Sequence, residues 1–276
     1  MPRRHVELRH PDQLWWPELG LTKRDAFDYY AAVARTLLPH LRNRPFTIKQ
    51  HYNGPRSPYR WLKDKPVGAP DWIPTAPQPA KSRGGALVDY VLVNDRSTLL
   101  WLVDYGCVDL HVWTARADRP ATPDVVLLDL DPDRDASFAA VAQAALTARD
   151  ALEALRLDSV PMTTGGDGIH VRVPIARRYT YDDARDFARG IASTLARVGT
   201  RGVKLDVKMN GHGQQIVAPY SIRPLPTAAV ATPLAWDEVD DALDPAAFTP
   251  QTVLDRVAAR GDLARLLLRG RQTLQL

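Results

Sequence analysis

Cysteine is nearly absent from this chain: Cys107 stands alone among 276 residues. A single thiol excludes an internal disulfide and any zinc site built on paired cysteines, and it fits a reducing compartment. Its apolar flanks suit packing better than reactivity. No apolar run approaches the length of a membrane span. Met1-Pro2-Arg3-Arg4-His5 leads into no apolar stretch of the kind a secretory leader needs. Internal repeats and heptads are also missing. The expectation is a cytoplasmic protein with no membrane partner.

What is present looks globular. Hydrophobic residues make up 45% and charged residues 25%, the balance of an ordinary packed protein. The length allows one large or two small domains. Charge is unevenly placed. Residues 1–65 carry 13 Lys and Arg against six Asp and Glu, whereas the whole chain is only +4. A basic first quarter and a mildly acidic remainder suggest a polyanion held by one part and metal chemistry in the other. A merely solvated basic surface would give the same count. Aromatics are interleaved with the basic part, and Tyr59-Arg60-Trp61-Leu62-Lys63 sits in a Pro- and Gly-rich stretch where stacking on an exposed base is plausible.

The pattern of elements is mixed α and β. Thr22-Lys23-Arg24-Asp25 opens a helix through Leu41, with Phe27, Tyr30, Val33, Ala34, Leu37, Leu38 and Leu41 at helical spacing. Strands are expected at Phe46–Tyr52, Leu87–Val93, Val108–Thr114 and Val125–Asp131. Residues 64–85 read as a long irregular connection. Helices are expected at Ser97–Tyr105, Ala136–Leu155, Tyr181–Val198 and Thr249–Leu268. Val160–Thr163 and Ile169–Ile175 form one strand pair about Gly165-Gly166-Asp167-Gly168. Val203–Met209 and Gln215–Ser221 form a second about Gly211-His212-Gly213.

Three clusters carry chemistry. In Leu127-Leu128-Asp129-Leu130-Asp131-Pro132 the apolar run ends in acids two residues apart, which share one side of a strand. Two carboxylates about 6–7 Å apart repel unless a cation sits between them. A divalent metal answers this, and so would a solvated strand end. The second cluster is Thr163-Thr164-Gly165-Gly166-Asp167-Gly168-Ile169-His170-Val171-Arg172. A glycine hairpin lets backbone N–H groups approach a phosphate. Thr164 adds a hydroxyl, and His170 and Arg172 share one strand face. A tight hairpin with a satisfied His would look alike. The third is Lys204-Leu205-Asp206-Val207-Lys208. Strand alternation would put Lys204, Asp206 and Lys208 on one face, with Arg223 downstream as a bidentate phosphate clamp.

The order D-L-D-P, T-T-G-G-D-G-I-H-V, L-D-V-K-M-N and A-P-Y-S-I-R resembles the archaeo-eukaryotic primase superfamily, and most of all the polymerase domain of bacterial DNA ligase D. His10-Pro11-Asp12, Trp16-Pro17-Glu18, Leu21-Thr22-Lys23-Arg24-Asp25 and Arg44-Pro45 through Asn53-Gly54 extend the likeness over roughly residues 5 to 268. The resemblance implies an α+β primase-polymerase core with RRM-like sheets flanked by helices. It implies one domain over 1–276, basic and DNA-binding over 1–65 and catalytic over 86–270.

It also implies nucleotidyl transfer to primer 3′-OH ends in gaps or at double-strand breaks, with ribonucleotides preferred. Two manganese or magnesium ions would sit on Asp129, Asp131 and Asp206, one activating the 3′-OH and one bridging the triphosphate. The nucleotide pocket would be His111, Thr164, Gly165, Gly166, His170, Arg172, Lys204, Lys208 and Arg223. Lys23, Lys49, Arg60, Trp61 and Lys63 would meet DNA, Lys23 at a downstream 5′-phosphate. Implied partners are DNA ends or gapped duplex, NTP or dNTP, a separate ligase and a Ku-type end-binding protein, in the nucleoid-containing cytoplasm.

Three positions depart from the pattern. Gln13 replaces a lysine, Asp167 replaces a hairpin lysine that faces the triphosphate, and Met209 replaces a glutamine. Lys204 or Lys208 is expected to supply the charge lost at 167. The rival readings are a DNA-end-binding module without catalysis and a D-x-D phosphohydrolase. The latter expects its aspartates near the start of a doubly wound domain, whereas these lie mid-chain.

Overall fold

The structure, a computed structural model, describes residues 4–80, 83–200 and 202–275. Part of the N-terminal segment read above, Met1 to Arg3, lies outside them. The strands are β1 (Leu14–Trp16), β2 (Leu21–Thr22), β3 (Pro45–His51), β4 (Tyr59–Leu62), β5 (Thr75–Pro79), β6 (Leu87–Leu92), β7 (His111–Val112), β8 (Val125–Pro132), β9 (Val160–Thr163), β10 (Ile169–Pro174), β11 (Val203–Leu205) and β12 (Ile216–Val217). The helices are α1 (Lys23–Leu41), α2 (Arg96–Asp104), α3 (Phe138–Ala154), α4 (Tyr181–Val198) and α5 (Pro250–Arg260).

Local chemistry explains the helix starts. Thr22 accepts from the Asp25 N–H while the Asp25 carboxylate returns to Thr22, a capping box that opens α1. Thr180 and Asp183 repeat the device at α4. Ser137 caps α3, so that helix begins two residues later than its apolar pattern suggests.

Two antiparallel sheets position the site. The first runs β11-β8-β10-β9 and the second β12-β7-β3-β6-β5, with β4 paired to β3. Along β8, Val126, Leu128 and Leu130 enter the main apolar core, on the side where α3 and α4 pack. The alternate residues, Leu127, Asp129 and Asp131, turn to the other face. One buried cluster runs from Trp15 to Leu274 and takes in residues of both sheets. No helix among the described residues is long and apolar enough to cross a membrane.

Four expectations are corrected. Residues 64–85 are not wholly irregular, because β5 pairs with β6 there. It ends the sheet, and an edge strand tolerates Pro77 and Pro79. The strand expected over 108–114 is regular only at β7. The two segments around Gly211-His212-Gly213 do not pair with each other: β11 joins β8 and β12 joins β7, in different sheets. Val207–Met209 is a 3-10 turn capped by Asp206. Finally, α5 stops at Gly261, where φ is +72°, and the chain resumes as a 3-10 turn at Arg265–Arg269.

Candidate active site

The centre of the site follows from strand register. Asp129 on β8 lies opposite His170 on β10. On the other side, β11 sets Lys204 opposite Asp131 and Leu205 opposite Leu130. The Asp206 N–H then donates to the Asp129 carbonyl at 2.9 Å, which puts residue 206 across from residue 129. Directly opposed residues of an antiparallel pair point to the same side. Asp206, Asp129 and His170 thus form one row on the sheet face, with Lys204 and Asp131 in the next.

The acids do not yet close around one point. Among the described residues no three His, Cys, Asp or Glu side chains are grouped to hold a metal ion. The cause is local. Asp129 Oδ1 lies 3.0 Å from His170 Nε2. Asp206 Oδ1 accepts from the Lys208 N–H at 2.9 Å. The charge pattern still suits a cation. Burial, and then Asp129, Asp167 and Asp206, push the Asp131 carboxyl up to about 6 against the pull of Lys204. That is the signature of crowded anions. Burial also raises Asp129, but His170, Arg172 and Arg223 together hold it below the ordinary carboxylate value.

Behind this row stands Arg172. Its Nη2 lies 3.2 Å from His170 Nδ1. A guanidinium can only donate, so His170 accepts there and presents Nε2–H to Asp129. Arg172 also donates to the Val217 carbonyl of β12, tying the two sheets together. It is buried and lines a small internal cavity of about 30 Å3 with Arg44 and Trp113. The expectation that it meets a triphosphate is therefore corrected: it reaches the site only through His170.

The cleft itself encloses about 330 Å3. His111, Asp129, Asp131, Thr164, Gly166, Asp167, His170 and Arg223 line it, together with Met209, Gln215, Ile216, Val217 and Leu225. Thr164 Oγ1 accepts from the Gly166 and Gly168 N–H groups, each at 3.3 Å. Arg223 Nη1 donates to the Thr164 carbonyl at 2.6 Å. Glycine is required twice. A Cβ at Gly165, where φ is +75°, would stand 2.5 Å from Arg223 Cγ. One at Gly168 would stand 2.9 Å from both Asp131 Oδ1 and the Leu130 carbonyl. Asp167 at the tip is exposed. Lys204 lies opposite Asp131. Lys208 does not share that strand face, because the chain has turned into the 3-10 segment.

The basic residues divide. Lys49 donates to Asp109 Oδ2 at 2.8 Å, with its ammonium 4.5 Å from the Tyr59 ring centre and 5.5 Å from that of Trp61. Trp61 is exposed and meets the His111 ring edge-on at 5.0 Å. Arg60 lies on the opposite face of β4, bonded to Gln50 and over Tyr52. The pair on the cleft side is accordingly Tyr59 and Trp61 rather than Arg60 and Trp61. Lys63 follows β4 and is half-buried. Lys23 is buried in an ion pair with Asp104 at 2.7 Å, which Arg9 also contacts, and it does not reach the cleft.

Sequence reasoning missed Asp109. Its side chain is fully buried, and Lys49, His111 and Arg223 all converge on it. The signal was available: Asp109 interrupts the apolar run Val108-Asp109-Leu110-His111-Val112, two residues before the singled-out histidine.

The family model for the LigD primase-polymerase domain matches residues 22–264. The chain belongs to that family. It is similar to the bifunctional non-homologous end joining protein LigD of Bacillus subtilis, 32% identical over 94% of this chain and 44% of that protein. It is also similar to the multifunctional non-homologous end joining protein LigD of Mycolicibacterium smegmatis, 30% identical over 94% of this chain and 35% of the relative. The chain thus spans less than half the length of these relatives. Among solved structures, the polymerase domain of Mycobacterium tuberculosis ligase D in complex with DNA superposes with a TM-score of 0.89. It is 28% identical, over 98% of this chain and 100% of that one. The LigD-family fold is thus the α+β architecture expected from the motifs.

Proposed function

We infer that this chain transfers nucleotides to primer 3′-OH ends in gaps or at double-strand breaks, preferring ribonucleotides, as one catalytic unit with a basic N-terminal part. The observation that carries this reading is the row Asp206–Asp129–His170 with Asp131 alongside, of which Asp129, His170 and Asp131 line a cleft that also presents Thr164 and Arg223. The names of the curated relatives support an end-joining setting, and the DNA-bound polymerase domain supports DNA as the polyanion. A ligase activity and a Ku-type end-binding protein would work with it at such ends.

Asp129, Asp131 and Asp206 are the residues that would hold manganese or magnesium. When bound, such ions supply charge neutralisation and Lewis acidity toward the 3′-OH and the triphosphate. The remaining work is positional. Arg223 and Thr164 suit the triphosphate, His170 holds Asp129 in place, and the exposed faces of Tyr59 and Trp61 suit an unpaired template base. Lys204 offsets the negative charge that Asp167 adds.

Primer extension on a gapped duplex with Mn2+ tests this reading. The wild type extends the primer, and Asp129→Ala abolishes extension while still binding the duplex. Extension undiminished in Asp129→Ala would sink the assignment. A wild type that binds ends without extending them would establish the non-catalytic alternative.

A further inference from the structure

We propose that Asp109 is a positioning residue for the incoming nucleotide, holding Lys49, His111 and Arg223 as one preset unit although it touches no ligand itself. The inference deepens the polymerase reading above and rests on it.

The three groups come from separate places: Lys49 from β3, His111 from β7 and Arg223 from the segment after β12. All three meet one carboxylate whose side chain has no solvent exposure. Lys49 Nζ lies 2.8 Å from Oδ2; His111 Nε2 and Arg223 Nε lie 3.0 and 3.2 Å from Oδ1. The carboxylate is itself anchored. Leu110 N–H donates to Ser221 Oγ at 2.8 Å, and Ala218 N–H donates to the Leu110 carbonyl at 2.8 Å. These bonds fasten residues 108–111 to the strand that leads into Arg223.

Asp109 is absent from the cleft wall, whereas His111 and Arg223 are on it. Any effect of Asp109 on a ligand must pass through them. The contacts to Oδ1 are close but not aligned as hydrogen bonds, and His111 Nδ1 is buried without a partner. Lys49 is thus held to Asp109 by a hydrogen bond, whereas His111 and Arg223 are held against Oδ1 by close packing. One carboxylate facing Lys49 and Arg223 also leaves a positive surplus, which suits a triphosphate. Burial alone would raise the Asp109 carboxyl, yet His111, Arg223 and Lys49 hold it far below the carboxylate range. The anion is therefore permanent at working pH. Lys49 in turn sits against Tyr59 and Trp61, and Trp61 against His111. One buried charge thereby sets the nucleotide wall and the aromatic platform in register.

The test is calorimetric titration of the full chain with ATP and Mn2+, alongside gapped-duplex binding, for wild type, Asp109→Asn, Arg223→Met and the double variant. Asp109→Asn keeps the shape and removes the charge. It should weaken ATP binding at least about tenfold, the scale seen when outer-shell partners of a site are lost, and duplex binding by clearly less. In the Arg223→Met background the same change should cost less than about threefold, because the two act together. The double variant removes a cation together with the anion, which lessens the charge imbalance that could unfold the single variant. Unchanged ATP binding in Asp109→Asn, or losses that simply multiply, overturns the proposal. Loss of near-ultraviolet circular dichroism in both variants also overturns it, by making the residue structural. A wild type that binds no ATP would instead remove the polymerase reading first.

Discussion

Asp131 is the residue at which the charge balance of the site is most exposed to measurement. Its carboxyl is pushed up to about 6 by burial and by Asp129, Asp167 and Asp206. Between its ordinary range and 6, the folded chain holds a proton that the unfolded chain has lost. Stability contributed by this group therefore falls as pH rises through that window. A bound cation competes with the same proton. Mn2+ should thus raise the thermal midpoint clearly at pH 7.5 and much less at pH 5. Equal stabilisation at both values would mean that Asp131 takes no part in holding the ion. At this scale the sequence was informative about the acids, since D-x-D in an apolar strand fixes which side chains share a face. It was silent about their orientation, because the bonds that turn Asp129 to His170 and Asp206 to Lys208 N–H come from other strands and turns. Lys23 shows the same limit. A lysine in the first turn of a helix looks available to DNA, but Asp104, distant in sequence, buries it.

Among the elements, the hairpin between β9 and β10 carries the most demanding geometry. Gly168 lets β10 approach β8 closely enough that a Cβ would meet Asp131 Oδ1 and the Leu130 carbonyl. Gly168→Ala should cost about 1–3 kcal/mol by denaturant titration, the usual range for overpacking. It should reduce primer extension by more than that loss of stability explains, since Asp131 is displaced. Unaltered extension would show that the contact is not needed for activity. Elements with their own local signals were legible. The Thr22/Asp25 capping box, with helical apolar spacing, gave α1 its bounds, and α4 spans the residues expected of it. Pairing partners were not. Alternation marks a segment as a strand but does not name its neighbour, so β11 and β12 looked like one hairpin when they belong to different sheets. Nor does composition reveal an edge strand such as β5, where prolines are tolerated because one side of the strand has no partner.

At the scale of the whole molecule, Arg172 of one sheet donates to the Val217 carbonyl of the other, and residues of both sheets line the cleft. The row of acids belongs to one sheet, and His111, Lys49 and the aromatic platform belong to the other. Their meeting depends on how the sheets are stacked, which single-strand patterns do not contain. Only the joint order of motifs hinted at it, through the resemblance to primase-type polymerases, and the family match agrees with that hint. Asp206, which follows the edge strand β11 and caps the next turn, is the residue proposed to complete a cation site with Asp129 and Asp131. Electron paramagnetic resonance of Mn2+ titrated into wild type and Asp206→Asn at pH 7.5 measures this directly. The account predicts that wild type depletes the free-Mn2+ signal and that Asp206→Asn, still folded, largely fails to do so. Identical titration curves for the two proteins would contradict it.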